Sequence, residues 1–117
     1  QLYGNVFVNN AARATVTGGG AVCVNGGISG DGPSLSNCIF TNNMAINAGG
    51  AVLLSSSAQL YGNVFVGNTA QAADSGGGAV FVNSKGASLS NCTFTNNVAI
   101  NAGGAVLLET SAQLYGN

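Results

Sequence analysis

The stretch SLSNCIFTNNMAINAGGAVLL at residues 34–54 returns as SLSNCTFTNNVAINAGGAVLL at residues 88–108. A second block, QLYGNVFVNN from Gln1, returns as QLYGNVFVGN from Gln59 and opens again as QLYGN at Gln113. Self-similarity of this kind is the signature of a repeat architecture, in which one unit cannot bury its own core and a stack of units can. Two shorter motifs recur inside each long unit. Phe-x-x-Asn occurs at Phe7/Asn10, Phe40/Asn43, Phe65/Asn68 and Phe94/Asn97, and Gly-Gly-Ala-Val at Gly19–Val22, Gly49–Val52, Gly77–Val80 and Gly103–Val106. They divide the chain into coils 1–33, 34–58, 59–87 and 88–112, with a further coil beginning at 113–117. The coils differ in length mainly before Gly-Gly-Ala-Val and in the loop after it.

Within a coil, apolar residues alternate over short spans, helical spacing is absent, and Gly, Asn and Ser interrupt every few residues. Short strands separated by turns follow from that pattern. Three strands per coil are expected, around Leu2, around Phe7 and around Val22–Val24 in the first. Aligning the coils gives columns of like residues: Leu2, Leu35, Leu60, Leu89; Phe7, Phe40, Phe65, Phe94; and Val22, Val52, Val80, Val106. If successive coils pair as parallel strands, column neighbours lie about 4.8 Å apart. Each buried member then contributes roughly 1.5–3 kcal/mol. The expected fold is therefore all-β: a parallel β-helix, or β-solenoid, of about four coils plus part of a fifth, forming one segment of a longer array.

The turns carry a separate signal. One column reads Gly4, Asn37, Gly62, Asn91 and another Asn9, Asn42, Gly67, Asn96. Gly and Asn share the ability to sit at positive φ, so their exchange at fixed positions marks left-handed corners. The unvarying column Asn10, Asn43, Asn68, Asn97 is expected to form a ladder, with amides bonding to one another and to turn backbone.

Both motifs resemble the repeats of the chlamydial polymorphic membrane proteins, and NCTFTNNVAINAGGAVLL (Asn91–Leu108) is close to that repeat. The resemblance covers nearly the whole chain. It implies a right-handed parallel β-helix, a place at the cell surface, and adhesion as the passenger of an autotransporter.

Composition narrows the function. Charged residues are 4% of the 117, the net charge is −1, and there is no His and no Trp. Nothing here would grip nucleic acid or an anionic membrane, and no apolar run is long enough to span a bilayer. The chain opens on Gln1 with no signal peptide and reads as an excised or processed segment. The charged groups are Arg13, Asp31, Asp74, Lys85 and Glu109, and none recurs at its position in another coil. Glycoside hydrolysis needs two carboxylates flanking the bond, and a Ser or Cys nucleophile needs a base. The chain is therefore not expected to be an enzyme. No cofactor or metal is expected either, because no His and no paired cysteines supply a ligand set. GGISGDG (Gly26–Gly32) reads as a plain loop, since a calcium-binding β-roll needs a regular array of such turns.

Cys38 and Cys92 share a column two coils apart, roughly 10 Å between Cα atoms, beyond the reach of about 7 Å for a disulfide. The three cysteines are expected to be small apolar fillers. Asn91-Cys92-Thr93 is a glycosylation sequon, of consequence only in a eukaryotic secretory setting. If Val22 and Val24 face inward, strand alternation turns Ala21 and Cys23 outward. The outward stripe Cys23, Leu53, Phe81, Leu107 is then a candidate interaction surface.

The leading functional expectation is a structural repeat of an extracellular filament or cell-surface stalk. Such a segment would self-associate end to end or laterally into fibres, through stacked coils and the apolar stripe. The alternative is an adhesin passenger that binds a host receptor or glycan. A minor third is an ice-binding solenoid, suggested by Thr93-Phe94-Thr95.

Overall fold

The computed structural model describes residues 1–13, 18–25, 32–71, 76–101, 103–109 and 111–117. Residues 26–31 of the GGISGDG loop, with Asp31, and the acidic Asp74 lie outside them. Every strand pair among the described residues is parallel, and no helix occurs. The chain winds as a β-solenoid in which each sheet takes one strand from every coil.

A leucine sheet stacks Leu2–Tyr3, Ser34–Ser36, Gln59–Tyr61, Ser88–Ser90 and Gln113–Tyr115. A phenylalanine sheet stacks Val6–Val8, Ile39–Thr41, Val64–Val66 and Thr93–Thr95, and a valine sheet stacks Val22–Asn25, Val52–Ser55, Val80–Val82 and Val106–Leu108. Register sets like on like: Leu35 opposite Leu60, Phe40 opposite Phe65, Val52 opposite Val80.

The structure adds a fourth strand to the three expected in each coil. Ala11–Ala12, Met44–Ala45, Thr69–Ala70 and Val98–Ala99 form an alanine sheet between the phenylalanine and valine sheets. These strands are two residues long, so they show no alternation to read, and their inward residue is a small Ala. Ala45 and Ala70 are fully buried.

The core runs as a continuous column through the coils. Leu35, Leu60 and Leu89, Phe40 and Phe65, and Val52 and Val80 are all buried. The rings of Phe7, Phe40, Phe65 and Phe94 stack with centroids 4.9, 4.9 and 5.0 Å apart and planes within 7° of parallel. Strand spacing imposes that distance, so the backbone itself brings neighbouring rings into contact. Phe7 and Phe94, each with one ring neighbour, are half-buried.

The corners take the conformations that Gly and Asn allow. All eight residues of the two columns, from Gly4 and Asn37 to Gly67 and Asn96, have φ between 51° and 64°. The ladder of backbone hydrogen bonds continues through them: Asn37 N–H donates to the Tyr61 carbonyl and Gly62 N–H to that of Ser90.

Gly-Gly-Ala-Val has a steric origin. A Cβ on Gly50 would stand 1.9 Å from the Gly78 carbonyl oxygen and 2.7 Å from Thr69 backbone. One on Gly49 would stand 1.8 Å from the Val52 carbonyl oxygen. Backbone cannot move aside as a side-chain tip can, so only Gly lets the chain pass this close. The Ala that follows departs from the expected alternation. Ala51 and Ala79 are fully buried in the core rather than turned outward. The N–H groups of Ala51 and Val52 both donate to the Ala79 carbonyl, and those of Ala79 and Val80 both to Ala105. Two successive residues sharing one partner carbonyl lose one step of alternation, as at a β-bulge, and so Ala and Val both face in.

Phe65→Ala should lower unfolding stability by about 3–5 kcal/mol, since it removes a buried ring contacted on both faces. Phe94→Ala should cost less. Urea denaturation of the two variants measures both, and equal small losses would sink the stacked-column account.

Candidate functional site

The Asn column forms a side-chain ladder along the coil axis. Asn68 Oδ1 accepts from the backbone N–H of Asn43 at 2.9 Å and from Asn43 Nδ2 at 3.0 Å. Asn68 Nδ2 in turn donates to Asn97 Oδ1 at 2.9 Å and to the Phe40 carbonyl at 3.0 Å. A side-chain amide has two lone pairs and two N–H groups, and Asn68 uses all four. Asn43 repeats the pattern: it accepts from Asn10 N–H and Nδ2 and donates to Asn68 Oδ1 and to the Phe7 carbonyl. Asn43 and Asn68 are buried, where an unpaired amide would be costly. The ladder thus joins each coil to both neighbours and ties the phenylalanine strand to the corner after it.

A second column alternates Asn5, Cys38, Asn63 and Cys92 in the sequence, and the structure shows its polar bonding. Asn63 and Cys92 are both buried, and Asn117 continues the column. Asn63 Oδ1 accepts from the Cys38 N–H at 2.9 Å and its Nδ2 donates to the Leu35 carbonyl at 2.8 Å. Asn117 does the same one long repeat later, accepting from Cys92 N–H and donating to the Leu89 carbonyl. Here the amide comes from every second coil, with Cys38 and Cys92 filling the coils between. The available signal was the recurrence of Asn at 5, 63 and 117 opposite Cys, which reads as filler until the bond is seen.

The cysteines are free thiols, with Cys38 and Cys92 buried and Cys23 exposed. Burial pushes the Cys92 thiol above its ordinary range, partly offset by hydrogen bonds from Asn63. The Cys38 thiol donates to the Ser36 carbonyl at 3.4 Å.

The expected interaction stripe is covered over much of its length. Leu53 is 0% and Phe81 6% exposed, Leu107 is half-buried, and Cys23 alone is exposed. They point away from the main core, but Leu53, Phe81 and Leu107 pack with Ala48 into a second small cluster. Ala48 belongs to the segment between the alanine sheet and Gly-Gly, whose length varies between coils. Ala48 packs into that cluster beside the buried Leu53 and Phe81. A charge placed at Phe81 would therefore disturb packing rather than an open association surface.

Asn91 of the sequon is exposed at a left-handed corner with φ 51°, and its Oδ1 lies where a Cβ on Gly116 would come within 2.7 Å. Arg13, Lys85 and Glu109 are exposed and lie on three different coils. Among the described residues no three His, Cys, Asp or Glu side chains gather as a metal site, and no helix is long and apolar enough to cross a membrane.

The open faces lie on the leucine and phenylalanine sheets. Tyr3, Tyr61 and Tyr115 are exposed at 70%, 52% and 56%, with Ser36 and Ser90 in register between them. Around the corner Val6, Val8 and Ile39 are exposed as well.

Two variants at Asn68 separate geometry from charge. Asn68→Ala should cost at least about 3 kcal/mol, because it strands several buried partners at once. Asn68→Asp keeps the shape but turns a carboxylate on the Phe40 carbonyl and Asn97 Oδ1. Burial and those oxygens raise its folded pKa above the unfolded value of about 3.9. Stability should therefore be greatest below that value and fall as pH rises through the folded pKa. Urea midpoints for Asn68→Asp at acid and neutral pH read the sign, and greater stability at neutral pH would refute the ladder's donor role. A thiol reagent at pH 8 should label Cys23 readily, and Cys38 and Cys92 only on unfolding.

The family model for the Chlamydia polymorphic membrane protein repeat matches residues 37–55 and 91–109. No curated protein and no solved structure matches the chain. The matched stretches run from the left-handed corner at Asn37 or Asn91, through the phenylalanine strand and ladder Asn, to the valine strand. They are the second and fourth coils, and the other two hold Phe-x-x-Asn and Gly-Gly-Ala-Val at the same places in the stack. The chain carries two matches to the Chlamydia polymorphic membrane protein repeat within one β-solenoid.

Proposed function

We propose that this segment is a structural repeat of a cell-surface protein, a length of rigid stalk that holds the chain's side faces out from the surface. The observation that carries the reading is the unbroken stack of Phe rings and Asn amides through all four coils. Each coil's stability depends on the next, which favours a rod of many coils over an isolated domain. The repeat match to a membrane-protein family supports a surface location, and the scarcity of charge suits a scaffold better than a catalyst. Self-association into fibres belongs to the same reading. The apolar stripe contributes little to it, because the stripe is mostly covered.

A second reading, in which the rod binds a receptor or glycan through a side face, draws support from the exposed tyrosines at Tyr3, Tyr61 and Tyr115.

Electron microscopy of the native material distinguishes the forms. The stalk reading expects rods standing from a membrane, with an axial repeat of about 4.8 Å per coil. Continuous free filaments would give the fibre form of the same structural reading, and compact particles with no axial repeat would overturn it.

A further inference from the structure

The outer row of the leucine sheet has a period of two coils. Tyr3, Ser36, Tyr61, Ser90 and Tyr115 follow one another in register, so a tyrosine appears on every second strand. Two strand spacings place successive tyrosines roughly 9.6 Å apart along the axis. A parallel row on the same strands alternates Ser34, Gln59, Ser88 and Gln113. The two rows are bonded to each other and between coils: Tyr115 Oη donates to Gln113 Oε1 at 2.8 Å, and Ser88 Oγ donates to Gln59 Oε1. Tyr61, in the middle of the stack, is still half exposed at 52%, so its exposure belongs to the side of the rod.

We infer that this tyrosine row is a binding face for a neutral, extended β-linked polysaccharide lying parallel to the coil axis. Three features of the face select that occupant. Aromatic rings with an apolar body and a hydroxyl tip cover the C–H faces of pyranose rings and still bond their hydroxyls. The two-coil spacing corresponds to one disaccharide of an extended β-linked chain, in which every second sugar presents the same face. The row and its Ser and Gln neighbours carry no charge, so hydroxyl groups, rather than carboxylates, sulfates or a protein's charged rim, are the complement. A peptide in β conformation fits less well, since the side chains on one of its faces recur about every 6.8 Å. This inference deepens the side-face reading given above and is independent of whether the rod is a stalk or a fibre.

The test is isothermal titration of the chain with cellohexaose and chitohexaose, with maltohexaose as the control whose helical path breaks the spacing. Binding to an extended hexaose is expected, with Tyr61→Ala weakening it on the order of tenfold, the worth of about one aromatic contact. Tyr61→Phe, which keeps the ring, should retain most of the affinity. Because Tyr61 faces outward, both variants should keep the parent's circular dichroism and urea midpoint, which separates lost binding from lost fold. Failure of both extended hexaoses to bind would overturn the inference, as would equal binding of maltohexaose or undiminished binding by Tyr61→Ala. None of these results bears on the stalk reading, which electron microscopy decides.

Discussion

Each coil of this protein lies directly above the last at the spacing of a hydrogen-bonded parallel strand, and the other interactions follow from that constraint. Once backbone bonding fixes the vertical distance, identical side chains at identical coil positions must meet. The Phe rings then stack at about 4.9 Å with nearly parallel planes. The amides of Asn43 and Asn68 reach one another with every donor and acceptor used. Neither arrangement requires a side chain to be positioned by a distant element. The same constraint makes Gly obligatory at Gly49 and Gly50, where the chain runs against backbone above and beside it and no side-chain adjustment can make room.

The parts of the fold legible in the sequence are those that repeat at single-residue resolution. Leu, Phe and Val columns, left-handed corners at Asn or Gly, and the amide ladder each place one residue type at one coil position. What escaped was set by contacts between positions of unlike kind. The alanine sheet is built from strands of two residues, too short for a period. Ala51 faces inward because two N–H groups share the Ala79 carbonyl, a feature of backbone bonding that simple alternation misses. Leu53 and Phe81 sit outward of the main core as alternation implies, yet they are buried and pack with Ala48 in a second cluster. A stripe found by alternation alone is only a face of a strand, and whether it meets water depends on the loops.

A two-coil period is superimposed on the one-coil fold. At the first corner the residue alternates strictly between Gly and Asn, and the Asn37 side-chain oxygen occupies the space that a Cβ on Gly62 would need, 2.4 Å away. Along the second polar column Asn63 supplies to the Cys38 coil, and Asn117 to the Cys92 coil, the acceptor those coils lack. Neighbouring coils are therefore complementary rather than interchangeable. An array of such coils is most simply lengthened or shortened by pairs, which keeps each Asn corner against a Gly and each Cys N–H against an amide. The long repeat seen in the sequence is the unit within which this complementarity is complete.

That pairing also bears on where function can reside. The Phe and ladder Asn columns keep one residue type through the stack, and the corners are held to Gly or Asn by φ, so substitution at either works against the fold. The outward rows are under no such restraint beyond strand propensity, yet the leucine sheet keeps Tyr on every second coil and leaves it exposed. Tyrosine on an open strand face contributes less to stability than the same ring would if buried. Its recurrence at 3, 61 and 115 is a feature the core does not require, and the rigidity of the stack fixes the distance between successive rings. On the proposed binding face a rod of this kind would act as a ruler: the backbone sets the spacing, and a ligand would be selected by whether its own repeat matches.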